Sequence, residues 1–287
     1  MKKIDLVFKD FERYLEQSAP KIPSFHPSYE TALWEMVLNG GKRFRPKLLL
    51  SIVASYKPER VKSAFAPALA LEILHTYSLI HDDLPVMDNA PLRRGCETLH
   101  KKYDEVLAIL VGDGLNTQAF YLISTAKLKS KVKAKLVESL SYNGGIYGMV
   151  LGQALDCHFE HQRLPLEQLE IIHLNKTAKL IASALEMGAI IAQCDKKTCK
   201  SLYQLGLDLG LFFQIRDDVI DCTQSTQEAG KPTHSDGVKN SYVNLLGLKG
   251  AKKSAKLLQN SITRQIKTLN KPAQKYLNTL LGSYFDI

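Results

Sequence analysis

The chain has 287 residues, 45% apolar and 23% charged. A chain of this length buries roughly three quarters of its unfolded surface, which argues against disorder and against a fold that depends on disulfides. Seventeen Gly and 11 Pro are too few for a collagen-like or low-complexity chain. The net charge of +9 sits at one end: residues 237–285 hold nine Lys or Arg and no acid, whereas the first 236 hold 29 basic and 28 acidic residues.

From the start, Met1-Lys2-Lys3 leads into Asp5, Asp10, Glu12 and Glu16 with no apolar run, so no secretory leader is expected. The most apolar stretch, 65–80, is interrupted by Pro67, Glu72 and His75, and no membrane insertion is expected. Proline punctuates the first hundred residues and is then absent from 92–164 and 166–231. These Pro-free stretches, rich in Leu, Ala, Ile, Lys, Gln and Glu, predict helices. Leu202, Leu205, Leu209, Phe212 and Phe213 recur at helical spacing. No hairpin dipeptide lies between alternating runs. The reading is one all-α domain over 1–287, a large helical bundle, with a helix starting at Pro165 and the longest loop at 222–241. Five irregularly spaced cysteines suit reduced thiols and a cytoplasmic location.

Two acidic clusters stand out, HDDLPVMD at 81–88 and RDDVID at 216–221. Asp217 and Asp221 are one helical turn apart and share a face. The gap from Asp82 to Asp88 fits no single face. Pro85 ends or kinks that helix, and Asp88 returns from the following turn. Each cluster on its own could be a solvated helix face. However, both follow apolar helical sequence, where unpaired anions would cost several kcal/mol each. Hard oxygen donors without Cys or His select Mg²⁺, which completes its shell with water and substrate phosphates. GGKRFRP at 40–46, RRG at 93–95, Lys176-Thr177 and Gly230-Lys231 offer cations for phosphate. Together these features describe a site for two diphosphates.

Across nearly its whole length the chain resembles the short-chain trans-isoprenyl diphosphate synthases, most closely the bacterial farnesyl diphosphate synthases. The resemblance rests on GGKRFRP (40–46), ALEILHTYSLIHDDLPVMD (70–88), LRRG (92–95), GQALD (152–156), NKT (175–177), FQIRDDVID (213–221) and GK (230–231). It implies an all-α bundle of the isoprenoid synthase type with a central substrate cavity. It further implies a homodimer and Mg²⁺ as cofactor, three ions in the closed complex. Asp82, Asp88 and Asp217 would hold the metal. Asp83, Asp218, Lys176 and Lys231 join these three in the catalytic set. Arg93, Lys176, Thr177, Gln214 and Lys231 would contact the allylic diphosphate, and Lys42, Arg45, His75 and Arg94 that of isopentenyl diphosphate.

The implied reaction ionises dimethylallyl or geranyl diphosphate, adds isopentenyl diphosphate to the cation and loses a proton, giving farnesyl diphosphate. Geranylgeranyl or geranyl diphosphate synthesis, or a catalytically silent partner subunit, are the alternatives. Tyr77, five residues before Asp82 and beside Ser78, would floor the pocket about 7.5 Å along the helix; the bland alternative is an ordinary core tyrosine. Phe213, one turn from Asp217, could line the pocket. Asn89-Ala90-Pro91, Ala178, His234, a short gap from Asp236 to Lys239, Val243 and the Tyr284–Ile287 ending depart from the family pattern. The basic end reads as an amphipathic helix with the apolar stripe Leu258, Ile262, Ile266 and Leu269, and no nucleic-acid partner is expected. The three glycines Gly144, Gly145 and Gly148 read as close helix packing. Cys157, His158 and His161 lack a second ligand group for zinc.

Overall fold

The computed structural model describes residues 3–223 and 240–285. The chain divides into two compact units, Met1–Val137 and Glu138–Ile287.

The first unit opens with α1 (Lys3–Gln17), α2 (Tyr29–Leu38) and α3 (Phe44–Tyr56), joined to α4 (Phe65–Asp82) by two short 3₁₀ turns. Trp34 Nε1 on α2 donates to the Leu15 carbonyl of α1 at 3.2 Å. A loop after α4 leads into a minimal hairpin, β1 (Leu92–Arg93) with β2 (Cys96–Glu97), then α5 (Leu99–Lys102) and α6 (Glu105–Thr125). Asp104 caps α6, accepting from Leu107 N at 2.7 Å. Helix α7 (Ser130–Gly144) runs across the division.

Two helices, Lys62–Asp82 and Glu105–Thr125, are long and apolar enough to cross a membrane by length and composition. This corrects the reading that no stretch qualifies. For α4 the reason is burial: Ala68, Leu69, Leu71, Ile73, Leu74 and Ile80 are all inside, and a helix apolar all round is a core helix. The hairpin is a second correction. Its turn, Arg94-Gly95, has φ of +55° and +80°, the left-handed pair of a type I′ turn, and an Arg at the first position hid it from sequence.

The second unit holds α8 (Met149–His158), α9 (Leu166–His173), a π-helical turn (Leu174–Ala178), α10 (Lys179–Ile191), α11 (Lys196–Thr223), α12 (Tyr242–Lys267) and α13 (Lys271–Leu281). Pro165 stands at the N-cap of α9, as its position predicts. Leu202, Leu205, Leu209 and Phe212 are buried and Phe213 is half-buried. Of the basic end's stripe, Ile262 and Ile266 are buried while Leu258 and Leu269 are half-buried. Most of the 222–241 loop lies outside the described residues; Cys222 and Thr223 still belong to α11.

Glycines decide where helices of this unit touch. A Cβ at Gly206 would meet the Ala182 backbone at 2.3 Å, and one at Gly210 the Ala178 backbone at 2.2 Å. One at Gly152 would lie 2.0 Å from Lys176 N. Gly145 and Gly148 behave differently from the packing expected of them: their close neighbours are carbonyls of Ser141 and Asn143 in their own chain. They let α7 turn sharply into α8.

Candidate active site

In the first unit, α4 ends at Asp82 and the chain turns back on itself. Asp88 N–H donates to the Asp82 carbonyl at 2.9 Å, returning Asp88 beside Asp82 as the Pro85 argument requires. Asp82 is half-buried and Asp88 exposed, so both carboxylates can keep part of a hydration shell. Asp83 points the other way and is fully buried. Its Oδ1 accepts from Arg93 Nε at 2.9 Å and from the same guanidinium's Nη2, while its Oδ2 is buried without a partner. Burial pushes the Asp83 carboxyl up, against the pull of Arg93. Burial opposes the charge on Arg93, but Asp83, Asp88 and Asp82 outweigh it and hold its pKa above the ordinary value. Asp83 therefore orients Arg93 toward the other two aspartates.

The hairpin sends its two arginines to different places. Arg93 goes to the aspartate turn. Arg94, at the turn's left-handed position, donates to the Gly40 carbonyl at 3.3 Å and lies 4.0 Å from Glu72. The Gly40-Gly41 loop is shaped to receive it: both residues have positive φ, and a Cβ on Gly41 would sit 2.8 Å from Arg94 Cζ. Arg45 on α3 and His75 on α4 join the same nest. Burial brings the Arg45 pKa down to about 10, with Glu72 opposing and Arg94 reinforcing the drop. Burial, then Arg45, Arg94 and Arg93, hold His75 well below its ordinary value, so it is neutral at pH 7. Its Nδ1 is buried without a partner. Lys42 is exposed on the same loop.

Two residues of this nest were missed by sequence reasoning. Arg43, in the left-handed region at φ +48°, is buried and bonds Glu72 Oε1 at 3.1 Å and the Val37 carbonyl at 2.6 Å. Glu72 is the buried acid among these cations. The available signal was Glu72 one turn before His75.

In the second unit, the π-turn presents Lys176 and Thr177, both half-buried. Gly152 of α8 and Gly210 of α11 let two helices approach this bulge closely. Lys176 Nζ donates to Asp156 Oδ2 at 2.5 Å. Gln214 and Asp217 follow Gly210 at four and seven residues, so they share the stripe of α11 that meets the turn. Asp217 is half-buried, with Arg216 Nη1 3.8 Å away. Asp218 accepts from Tyr242 N at 2.7 Å, tying the start of α12 to α11. Tyr242 OH donates to Glu170 at 2.8 Å and its ring stacks on His173. Phe213 meets the Tyr284 ring edge-on at 5.0 Å, so the chain's end packs on α11. Lys231 and His234 lie outside the described residues.

Among the described residues, no three His, Cys, Asp or Glu side chains cluster tightly enough to hold an ion by themselves. The paired oxygens of Asp82 and Asp88, partly exposed, instead fit Mg²⁺, which takes one or two carboxylates and fills its octahedron with water and phosphate.

Arg43, Arg45, Arg94 and His75 thus gather around the buried Glu72 on the helix that ends in the aspartate turn. Residues 26–280 match the family model described as polyprenyl synthetase. The chain belongs to that family. It is 40% identical over 282 residues to farnesyl diphosphate synthase of Micrococcus luteus, covering 95% of this chain and 94% of that one. It is 45% identical over 218 residues to farnesyl diphosphate synthase of Geobacillus stearothermophilus, covering 74% and 73%. The crystal structure of a geranyltransferase from Helicobacter pylori, complexed with magnesium and isoprenyl diphosphate, superposes with TM-score 0.93 at 48% identity, covering 99% and 97%. The all-α fold and the polyprenyl synthetase resemblance read from the motifs are thus borne out.

Proposed function

We propose that this polyprenyl synthetase joins isopentenyl diphosphate to dimethylallyl and then geranyl diphosphate, giving (2E,6E)-farnesyl diphosphate. The observation that carries this reading lies on α4. His75 and Asp82 are seven residues apart, two turns on one face, about 10 Å along the axis. One helix therefore sets a dry cation nest and a metal-compatible carboxylate turn at the separation two diphosphates need.

In this reading Asp82, Asp88 and Asp217 hold Mg²⁺, which, when bound, neutralises the leaving diphosphate. Arg93, Lys176, Thr177, Gln214 and Lys231 grip the allylic diphosphate's oxygens as charge develops on them. Asp83 acts through Arg93, and Asp218 through the α12 start. Lys42, Arg45, Arg94 and neutral His75 hold isopentenyl diphosphate. The carbon–oxygen bond of the allylic diphosphate breaks, the isopentenyl double bond attacks the resulting cation, and a proton is then lost to the departing diphosphate. Apolar walls exclude water from the cation. Tyr77, buried on α4, and Ser78 floor the cavity. The family match spans both units, which supports one catalytic domain over 1–287.

A homodimer is part of this reading. Val106, Ile109, Leu110 and Tyr121 are exposed on α6 and make an apolar strip that a second copy would cover. The enzyme works in the cytoplasm, on small diphosphates rather than nucleic acid and without membrane insertion.

Purified protein incubated with labelled isopentenyl diphosphate, each allylic primer and Mg²⁺ tests the reading. Fifteen-carbon product is expected, abolished by chelator and cut about a hundredfold or more by Asp217→Asn. Product of twenty carbons would favour the geranylgeranyl alternative. No product with any primer would leave only a silent subunit.

A further inference from the structure

A ring floors a pocket only if something fixes it in place. Tyr77 and His81 are four residues apart on α4 and share a face. Their rings meet edge to face, with centroids 5.6 Å apart and planes at 86°. His81 is seated on α6: its Nε2–H donates to the Ile109 carbonyl at 3.2 Å and lies 3.9 Å from the Asp113 carboxylate. The seat exists because residue 112 has no side chain. A Cβ on Gly112 would lie 2.1 Å from His81 Nε2 and 2.5 Å from its Cδ2. Gly112 is buried within α6 and has no left-handed φ. A helix interior disfavours glycine by about 0.5–1 kcal/mol relative to alanine. The helix does not need a glycine there, but the imidazole does.

We propose that Gly112 and His81 are specificity-determining positioning residues: the glycine seats the imidazole, the imidazole holds the Tyr77 ring, and the held ring stops growth at fifteen carbons. This rests on the chain-length reading of Tyr77. Neither residue is among those that grip the diphosphates or hold the metal. His81 adjoins Asp82 in sequence, but its ring contacts α6 and Tyr77 rather than the aspartate turn. An alanine at 112 collides only with the far end of a rotatable side chain, so His81 swings away while α4 and α6 stay packed. Tyr77 can then turn into the vacated space, and the floor drops.

The test is product length by chromatography for Tyr77→Ala, Gly112→Ala and His81→Ala, beside the parent enzyme. All three are expected to shift product from fifteen to twenty or more carbons. For Gly112→Ala and His81→Ala, the Michaelis constants for isopentenyl and geranyl diphosphate should stay within about threefold of the parent. A merely destabilised enzyme would lose rate without lengthening its product. Unchanged length in Tyr77→Ala overturns the floor reading and this inference with it. Lengthening in Tyr77→Ala but in neither of the others overturns the inference alone. Lengthening in Gly112→Ala but not His81→Ala refutes the route through the imidazole. His81→Ala adds no atoms to α6 and decides the matter if Gly112→Ala fails to fold.

Discussion

Arg43 occupies a backbone conformation that costs a non-glycine residue energy, and its reward is a buried bond to Glu72. Without Arg43, Glu72 keeps Arg45 and Arg94 near it but loses its closest charged hydrogen bond. Arg43→Met should therefore destabilise the protein by about 1.5–3 kcal/mol in chemical denaturation. The double variant Arg43→Met/Glu72→Leu should cost less than the sum of the two single losses, because the shared bond is lost only once, yet more than Arg43→Met alone, because Arg45 and Arg94 then lose their buried acid. Full additivity of the two single effects would refute the strut. His173 makes a second residue-scale prediction. Burial lowers its pKa from 6.5 to about 4, with Asp156 opposing and Lys176 reinforcing the drop. Below pH 6.5 the unfolded chain takes up a proton that the folded chain refuses until about pH 4. Stability is thus intact above 6.5 and declines as acid is added across that window, by up to about 3 kcal/mol from this group. In thermal melts at pH 7 and pH 4.5, His173→Phe should show a smaller acid-induced drop in Tm than the parent.

Elements in the second unit are placed by what their small residues permit. Gly152 admits α8 against the backbone of the π-turn, and backbone cannot rotate away as a side chain can. Gly152→Ala should therefore cost about 1–3 kcal/mol or more in stability. It should also raise the Michaelis constant for the allylic diphosphate more than that for isopentenyl diphosphate, since Lys176 sits on the displaced turn. A stability loss with both constants unchanged would mean that the turn positions nothing. The hairpin at 92–97 is the element whose presence sequence reading missed. Two residues per strand are too few for alternation to register, and the left-handed Arg94 gives no compositional hint. Yet this turn sends Arg93 to the aspartates and Arg94 to the Glu72 nest.

At the scale of the whole molecule, the exposed apolar strip of α6 is the feature a monomer should not keep. A carboxylate buried without a partner in each copy costs several kcal/mol. Val106→Asp with Leu110→Asp should therefore weaken self-association by about a hundredfold or more, read by sedimentation velocity. Unaltered sedimentation would refute the proposed dimer contact through α6. The excess charge has a local cause at this scale too. The Lys and Arg side chains of α12 and α13 are exposed, while Ala251, Ala255, Ile262 and Ile266 face inward.

By itself the sequence determined the helical class, the two aspartate motifs, the return of Asp88 behind Pro85 and the residue types suited to a diphosphate. Each of these is a local matter: proline and hydrophobic spacing act within a few residues, and hard oxygen donors and cations declare their chemistry by type alone. Only the tertiary structure decided that Asp83 serves Arg93, that Asp218 anchors Tyr242, that Glu72 balances three arginines, and that Gly112 seats His81. Those roles depend on residues 10 to 31 positions apart meeting at atomic distance. Burial, which makes a lone carboxylate or a missing methyl group consequential, is set by the packing of helices rather than by the order of residues along them.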